Sequence, residues 1–163
     1  MRSVEEHLAD ILLAVRPTAP RETGLQEALG TVLAEDVASP VALPPFANSA
    51  MDGYAVRACD VAEVPVTLPV TGDVAAGEGG RPVVTPGTVM RIMTGAPVPE
   101  GADTVIPVEW TDGATEQVRF ERSAPAGNAI RLAGEDVMAG DVVLSEGTLI
   151  GPAQLGILAG VGR

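Results

Sequence analysis

Between Val64 and Phe120 the chain is cut into short apolar runs by closely spaced glycines and prolines, and this punctuation restricts the fold more than any other feature. The runs Val66–Val74, Val89–Met93, Thr104–Trp110 and Gln117–Phe120 are separated by Ala76-Gly77-Glu78-Gly79-Gly80, Thr85-Pro86-Gly87, Pro99-Glu100-Gly101 and Asp112-Gly113. Runs this short, rich in branched residues and bounded by turn formers, read as strands. Their spacing predicts a small sandwich or barrel. Aromatic residues make up only 2% of the chain against 46% hydrophobic residues, so the core must be built from Val, Leu, Ile and Ala.

The flanks have a different texture. Ser3 and Glu6 form a capping-box pattern, and Val4, Leu8, Ile11, Leu12 and Val15 then recur on one helical face, ended by Arg16 and Pro17. Gly24 to Gly30 predicts a short second helix, Thr31 to Val37 a strand, Pro40 to Pro45 an extended segment, and Tyr54-Ala55-Val56 a short strand. Near the other end, Val142-Val143-Leu144 and Thr148-Leu149-Ile150 flank a turn at Glu146-Gly147, and Pro152 opens a helical pattern. The expectation is an α+β fold: a discontinuous mixed helical lobe from residues 1–45 and 129–163, and an inserted β-rich, sandwich- or barrel-like lobe over 46–128. An apolar helix running almost to Arg163 is the expectation for part of a longer polypeptide.

The formal net charge is −12 and there is no lysine. Such a surface repels phosphate backbones and anionic bilayers, which argues against nucleic-acid and membrane partners. The single cysteine, Cys59, excludes an internal disulfide and a cysteine-based zinc cluster, and the lone His7 excludes a histidine-rich site. Any metal here is expected to be a hard cation on oxygen ligands. A charged start with no apolar run predicts no signal peptide, and a cytoplasmic protein is the expectation.

Three segments carry candidate chemistry. In Pro44-Pro45-Phe46-Ala47-Asn48-Ser49-Ala50-Met51-Asp52-Gly53-Tyr54-Ala55-Val56, two of the four aromatic residues flank one carboxylate on a proline-stiffened loop. Asp52 can accept hydrogen bonds, hold a cation or act as a base; equally, Asp52-Gly53 can be a turn. Met90-Arg91-Ile92-Met93-Thr94-Gly95-Ala96-Pro97-Val98-Pro99 leads a strand into a Thr-Gly turn whose donors can hold an anionic oxygen, or which is only a proline-rich turn. In Ile130-Arg131-Leu132-Ala133-Gly134-Glu135-Asp136-Val137, the acids can join Asp52 or a magnesium ion, or form a solvated turn with Arg131 paired locally. The Gly77–Gly80 run is a flexible loop, Glu109 beside Trp110 a buried-acid or edge candidate, and Cys59 a small partly buried residue rather than a nucleophile.

These three segments, in this order, resemble the MoeA/gephyrin family of molybdopterin molybdenumtransferases. Further matches are Gly101-Ala102-Asp103-Thr104-Val105, Glu109, Gly127-Asn128 and Gly140, so the resemblance covers essentially the whole chain. It implies insertion of molybdenum from molybdate into adenylylated molybdopterin, with magnesium-dependent loss of AMP. It also implies a four-domain subunit in an elongated dimer. This sequence resembles the first two domains; the molybdopterin-binding α/β domain, expected to be basic, and the C-terminal β domain lie outside it. The resemblance implies catalytic roles for Asp52, Thr94 and Asp136 along an intersubunit cleft, with Thr94 donating to an anionic oxygen. It implies cofactor contacts from Ser49, Met51, Gly53 and Gly95, and magnesium on either Asp52 or Asp136. Ala47 stands where many members carry an acid. The partners implied are a second copy, a molybdopterin adenylyltransferase, and molybdoenzymes or their chaperones. The 163 residues alone are expected to be inactive, and the alternative reading is a non-catalytic dimerisation or interaction module of gephyrin-like type.

Overall fold

The computed structural model describes residues 2–16, 18–77, 80 and 82–163. Its elements are α1 (Val4–Ala14), β1 (Val37–Ala38), β2 (Asn48–Ser49), β3 (Gly53–Val56), β4 (Val66–Val74), β5 (Val89–Ile92), β6 (Thr104–Pro107), β7 (Gln117–Phe120), β8 (Ile130–Arg131), β9 (Val142–Leu144) and α2 (Pro152–Gly160). Short 3-10 turns lie at Leu25–Ala28, Ala58–Val61 and Val108–Trp110. The chain separates into two compact units, Ala38–Val143 and Met1–Val37 with Leu144–Arg163.

In the Ala38–Val143 unit, five strands form one mixed sheet in the order β6-β3-β5-β4-β7, curled as a half-barrel. All neighbours are antiparallel except β4 and β5, which run parallel with a register shift between Val70 and Asp73. The sheet is apolar on both faces. Tyr54, Val56, Val89, Ile106, Val118 and Phe120 belong to one buried cluster, whereas Ala55, Met90, Ile92 and Val105 belong to another. Alternate residues of β3 and β6 therefore enter different cores, which is why these segments read as continuous apolar runs. Tyr54 and Phe120 meet edge to face at 5.8 Å, and the Tyr54 hydroxyl donates to the Ala114 carbonyl at 2.8 Å. Such an aromatic pair adds about 0.5–1.5 kcal/mol beyond its burial.

One glycine is indispensable to this sheet. A Cβ on Gly53 would lie 2.1 Å from the Ile106 carbonyl oxygen. Only a hydrogen at that position lets β3 lie against β6.

Several sequence boundaries shift for identifiable reasons. The run expected as a strand to Trp110 leaves the sheet after Pro107, when the Val108 N–H turns to the Asp52 carbonyl at 3.1 Å. Trp110–Asp112 then pairs with β7, through Asp112 N–H to Arg119 and Glu121 N–H to Trp110. The result is a curled, barrel-like sheet of the kind expected, with one irregular seam between β7 and Trp110–Asp112. Proline-rich residues around Leu43 and the 133–141 segment also belong to this unit. The Leu43 carbonyl accepts from both Asp136 and Val137, and Pro44 accepts from Gly134.

In the Met1–Val37 and Leu144–Arg163 unit, α1 carries the expected capping box: Glu6 N–H bonds Ser3 Oγ at 3.1 Å and Ser3 N–H bonds Glu6 Oε2 at 2.9 Å. None of its residues is buried, and Val4 and Leu12 are 81% and 62% exposed. Thr31 to Val37 is not one strand. Thr31 and Leu33 exchange hydrogen bonds with the Gly147–Ile150 segment, and the chain then bends at Ala34 and Glu35, with Asp36 accepting from Glu146 N–H at 2.7 Å. The short second helix is a 3-10 turn over Leu25–Ala28 packed on α2.

Candidate functional site

The three segments singled out from the sequence converge on β2, a strand of only two residues. On one side β2 pairs with β8, Asn48 opposite Arg131 and Ser49 opposite Ile130, extended by Ala50 N–H to the Ala129 carbonyl at 2.9 Å. On the other side it meets the turn after β5: Ser49 N–H donates to Ala96, Gly95 N–H to Ser49, and Val98 N–H to Ala47. Backbone bonds alone thus place the Thr94 and Asp136 turns on opposite flanks of the strand that leads to Asp52.

Asp52 sits between β2 and β3. Its Oδ1 accepts from the Thr94 backbone N–H at 2.7 Å and from the Thr94 hydroxyl at 2.8 Å. The backbone bond first, and the hydroxyl bond second, hold its carboxyl below the ordinary value of 3.8, against a smaller opposing effect of desolvation. Asp52 is therefore an anion at neutral pH and a poor proton carrier. Oδ2 has no partner among the described residues. The arginines of the two flanking segments are engaged elsewhere: Arg91 with Asp73 at 3.3 Å, and Arg131 with Asp136. Asp52 has no ion-pair partner among the described residues.

The same geometry redirects Thr94. Its hydroxyl hydrogen, expected on an anionic oxygen, is directed to Asp52. Thr94 orients the carboxylate, and its oxygen offers only lone pairs outward.

Asp136 is exposed in the turn after β8, bonded through Oδ2 to Arg131 Nη2. That bond, and the charge behind it, raise the Arg131 pKa above its ordinary value. Glu135 accepts from Leu132 N–H at 2.9 Å and closes its own turn. No hydrogen bond joins Asp52 to Asp136 among the described residues, so the two acids flank β2 as separate groups. Met51 and Gly95 are exposed beside Asp52 and Thr94, whereas Ser49 and Gly53 are buried and present no side-chain group outward. Glu109 is exposed on the 3-10 turn after β6, Cys59 is exposed, and the Gly77–Gly80 run lies partly outside the described residues.

Sequence reasoning missed the frame around these groups. Asn48 is buried and donates to the Phe46 carbonyl at 3.2 Å; Asn128 donates from its side chain to Val105 at 2.7 Å. Ala129 follows with φ of 51°, left-handed backbone without glycine. The Gly127-Asn128 pair was the only local signal for that turn.

A family model described as the MoeA N-terminal region, domain I and II, matches residues 2–162. The chain belongs to the MoeA family. It is 47% identical to molybdopterin molybdenumtransferase 2 of Mycobacterium tuberculosis, over 99% of this chain and 41% of that protein. It is 42% identical to the molybdopterin molybdenumtransferase of Haemophilus influenzae, over 90% of this chain and 36% of that protein. A crystal structure of the molybdopterin biosynthesis moeA protein of Pyrococcus horikoshii superposes with a TM-score of 0.82 at 36% identity, over 87% of this chain and 38% of that one. The chain thus spans about two fifths of the length of these MoeA relatives and corresponds to their N-terminal region.

A magnesium ion bound by protein keeps several waters and takes one or two carboxylates plus substrate phosphate oxygens. No group of three acidic, histidine or cysteine side chains able to hold a metal occurs among the described residues. The free Oδ2 of Asp52 fits one position of such a sphere. Asp136, whose Oδ2 is engaged with Arg131, is the poorer donor.

Proposed function

We propose that this chain supplies one wall of the site where a full-length molybdenumtransferase inserts molybdenum from molybdate into adenylylated molybdopterin. The observation that carries this reading is the Asp52 carboxylate, fixed through Oδ1 by two Thr94 donors with Oδ2 open. An acid preset in that way is an acceptor, not a base. It would hold a donor of the substrate, or one edge of a magnesium ion that neutralises phosphate charge as AMP departs. Thr94 fixes the carboxylate beforehand, so its orientation costs nothing when substrate arrives. Asp136 and Arg131 on one flank of β2, and exposed Met51 and Gly95 beside Asp52 and Thr94, would complete this half of the binding surface. Ser49 and Gly53 act from within, shaping the backbone.

The rest of the site, and the positive charge needed beside Asp52, would come from domains outside these 163 residues. The reading therefore includes a homodimer, and an inactive chain when tested alone. A molybdopterin adenylyltransferase would act upstream, and molybdoenzymes or their chaperones downstream. The reading places this work in the cytoplasm; no helix among the described residues is long and apolar enough to cross a membrane. The two units would be the family's first two domains. A second reading, a dimerisation or interaction module without catalysis, is favoured by one observation: the apolar stripe of α1 has no buried residue.

Asp52→Asn in the full-length protein separates the two. The catalytic reading expects molybdenum insertion to fall about 100-fold, the scale of losing one preorganised electrostatic group, with Tm nearly unchanged. Full activity in that variant would leave Asp52 a turn residue and favour the interaction module.

A further inference from the structure

Ser49 is 1% exposed, yet it carries a polar side chain. Its hydroxyl is turned inward, donating to the Met51 carbonyl at 2.5 Å and accepting from the Met51 N–H at 3.3 Å. Its backbone is bonded to the opposite turn, N–H to the Ala96 carbonyl at 3.0 Å and carbonyl to the Gly95 N–H at 2.8 Å. A single residue is thus tied to both neighbours of the Asp52–Thr94 contact, Met51 before one member and Gly95 after the other. The two members lie 42 positions apart in the sequence.

We propose that Ser49 is a positioning residue for the proposed transfer site: it holds the Asp52 turn in register with the Thr94 turn, so that Thr94 engages Oδ1 and Oδ2 is left open. This rests on reading Asp52 as a site residue. The physical reason lies in the shape of the loop. Between β2 and β3 lie three residues, Ala50 to Asp52, and of their backbone groups only Ala50 N–H and the Asp52 carbonyl are tied to other segments among the described residues. The two bonds between Ser49 Oγ and Met51 close the turn from within, as Ser and Thr side chains do in local turns. Without them Met51 is free to rotate its peptide groups, and the Asp52 side chain swings with them. A purely space-filling Ser49 would affect stability but not the state of the Asp52 carboxylate.

The test uses the full-length protein labelled at aspartate carboxyl carbons, with the Asp52 resonance assigned by Asp52→Asn. The carboxyl is titrated by NMR in the wild type, Ser49→Ala and Ser49→Cys. Cysteine refills the site with a donor too weak to close the turn, so it removes the hydrogen bond without the cavity and keeps the test alive if the alanine variant fails to fold. Both variants are expected to raise the Asp52 pKa towards its ordinary value. In the insertion assay kcat should drop about tenfold with KM changing less, as small misplacements of a reacting group do. Wild-type titration of Asp52 in the folded variants overturns the proposal, whatever happens to Tm. If Asp52→Asn itself keeps full activity, the functional reading fails, and the titration still judges the positioning role by itself.

Discussion

Two turns flank β2, and each presents an aspartate in a different electrical state. Asp136 is bonded to the guanidinium of Arg131, so the turn after β8 carries a closed pair. Asp52 is held by neutral donors, the Thr94 N–H and hydroxyl, so it is oriented without being neutralised. The first arrangement pairs a charge; the second holds one exposed and without a counter-ion among the described residues. Orientation by dipoles rather than by a counter-ion is what leaves a carboxylate available to an incoming cation or donor. On the proposed reading, the comparison puts the work of the site on the Asp52 side, with the Arg131–Asp136 pair on the other flank of β2.

The heaviest blow to that comparison is Gly53→Ala. A methyl driven to 2.1 Å from a backbone oxygen forces β3 away from β6 and displaces Asp52 with it. The expected cost is about 3 kcal/mol or more, the range of severe core disruptions, read as a drop in denaturation midpoint at unchanged m-value. Phe120→Ala, which empties one core cluster and breaks the contact with Tyr54, is expected to cost about 3–5 kcal/mol, measured in the same way. It should leave the Asp52 titration where it was, since neither Asp52 nor Thr94 belongs to that cluster.

A pH series sharpens the contrast further. A carboxyl whose folded pKa is depressed contributes stability above its unfolded value and loses it as pH falls through the folded one. Asp52 and Asp112, both depressed by backbone donors, should therefore add acid sensitivity below about pH 4. Asp52→Asn is expected to narrow the stability gap between pH 7 and pH 3, checked by thermal melts across that range. The smallest effect belongs to Arg131→Gln. Exposed ion pairs contribute little and are screened by salt, so its Tm should stay near the wild type and approach it further at high ionic strength.

Much of this arrangement was legible in the residues. The β-rich region and most strand limits followed from glycine and proline punctuation, and the three chemical segments were marked by composition. The state of each acid was legible only in part. A local pairing of Arg131 was one of the readings open for its segment, and the structure closes it on Asp136, five positions on; that Asp52 stays open has no such local sign. The direction of the Thr94 hydroxyl depends on a partner 42 residues away. Ser49 reads as a polar loop residue because a short serine gives no periodic signal, and its burial arises only when two turns close around it. The α1 stripe is the opposite case: its pattern predicts a buried face, and the structure leaves every residue of it unburied.

The central claim is that Thr94 holds Asp52 as an oriented anion, and a direct titration of the Asp52 carboxyl in the wild type and in Thr94→Val tests it. The account predicts a midpoint below 3.8 in the wild type that rises part of the way back in the variant, where the backbone N–H still donates. A wild-type midpoint at or above 3.8, or one that ignores the loss of the hydroxyl, would contradict it.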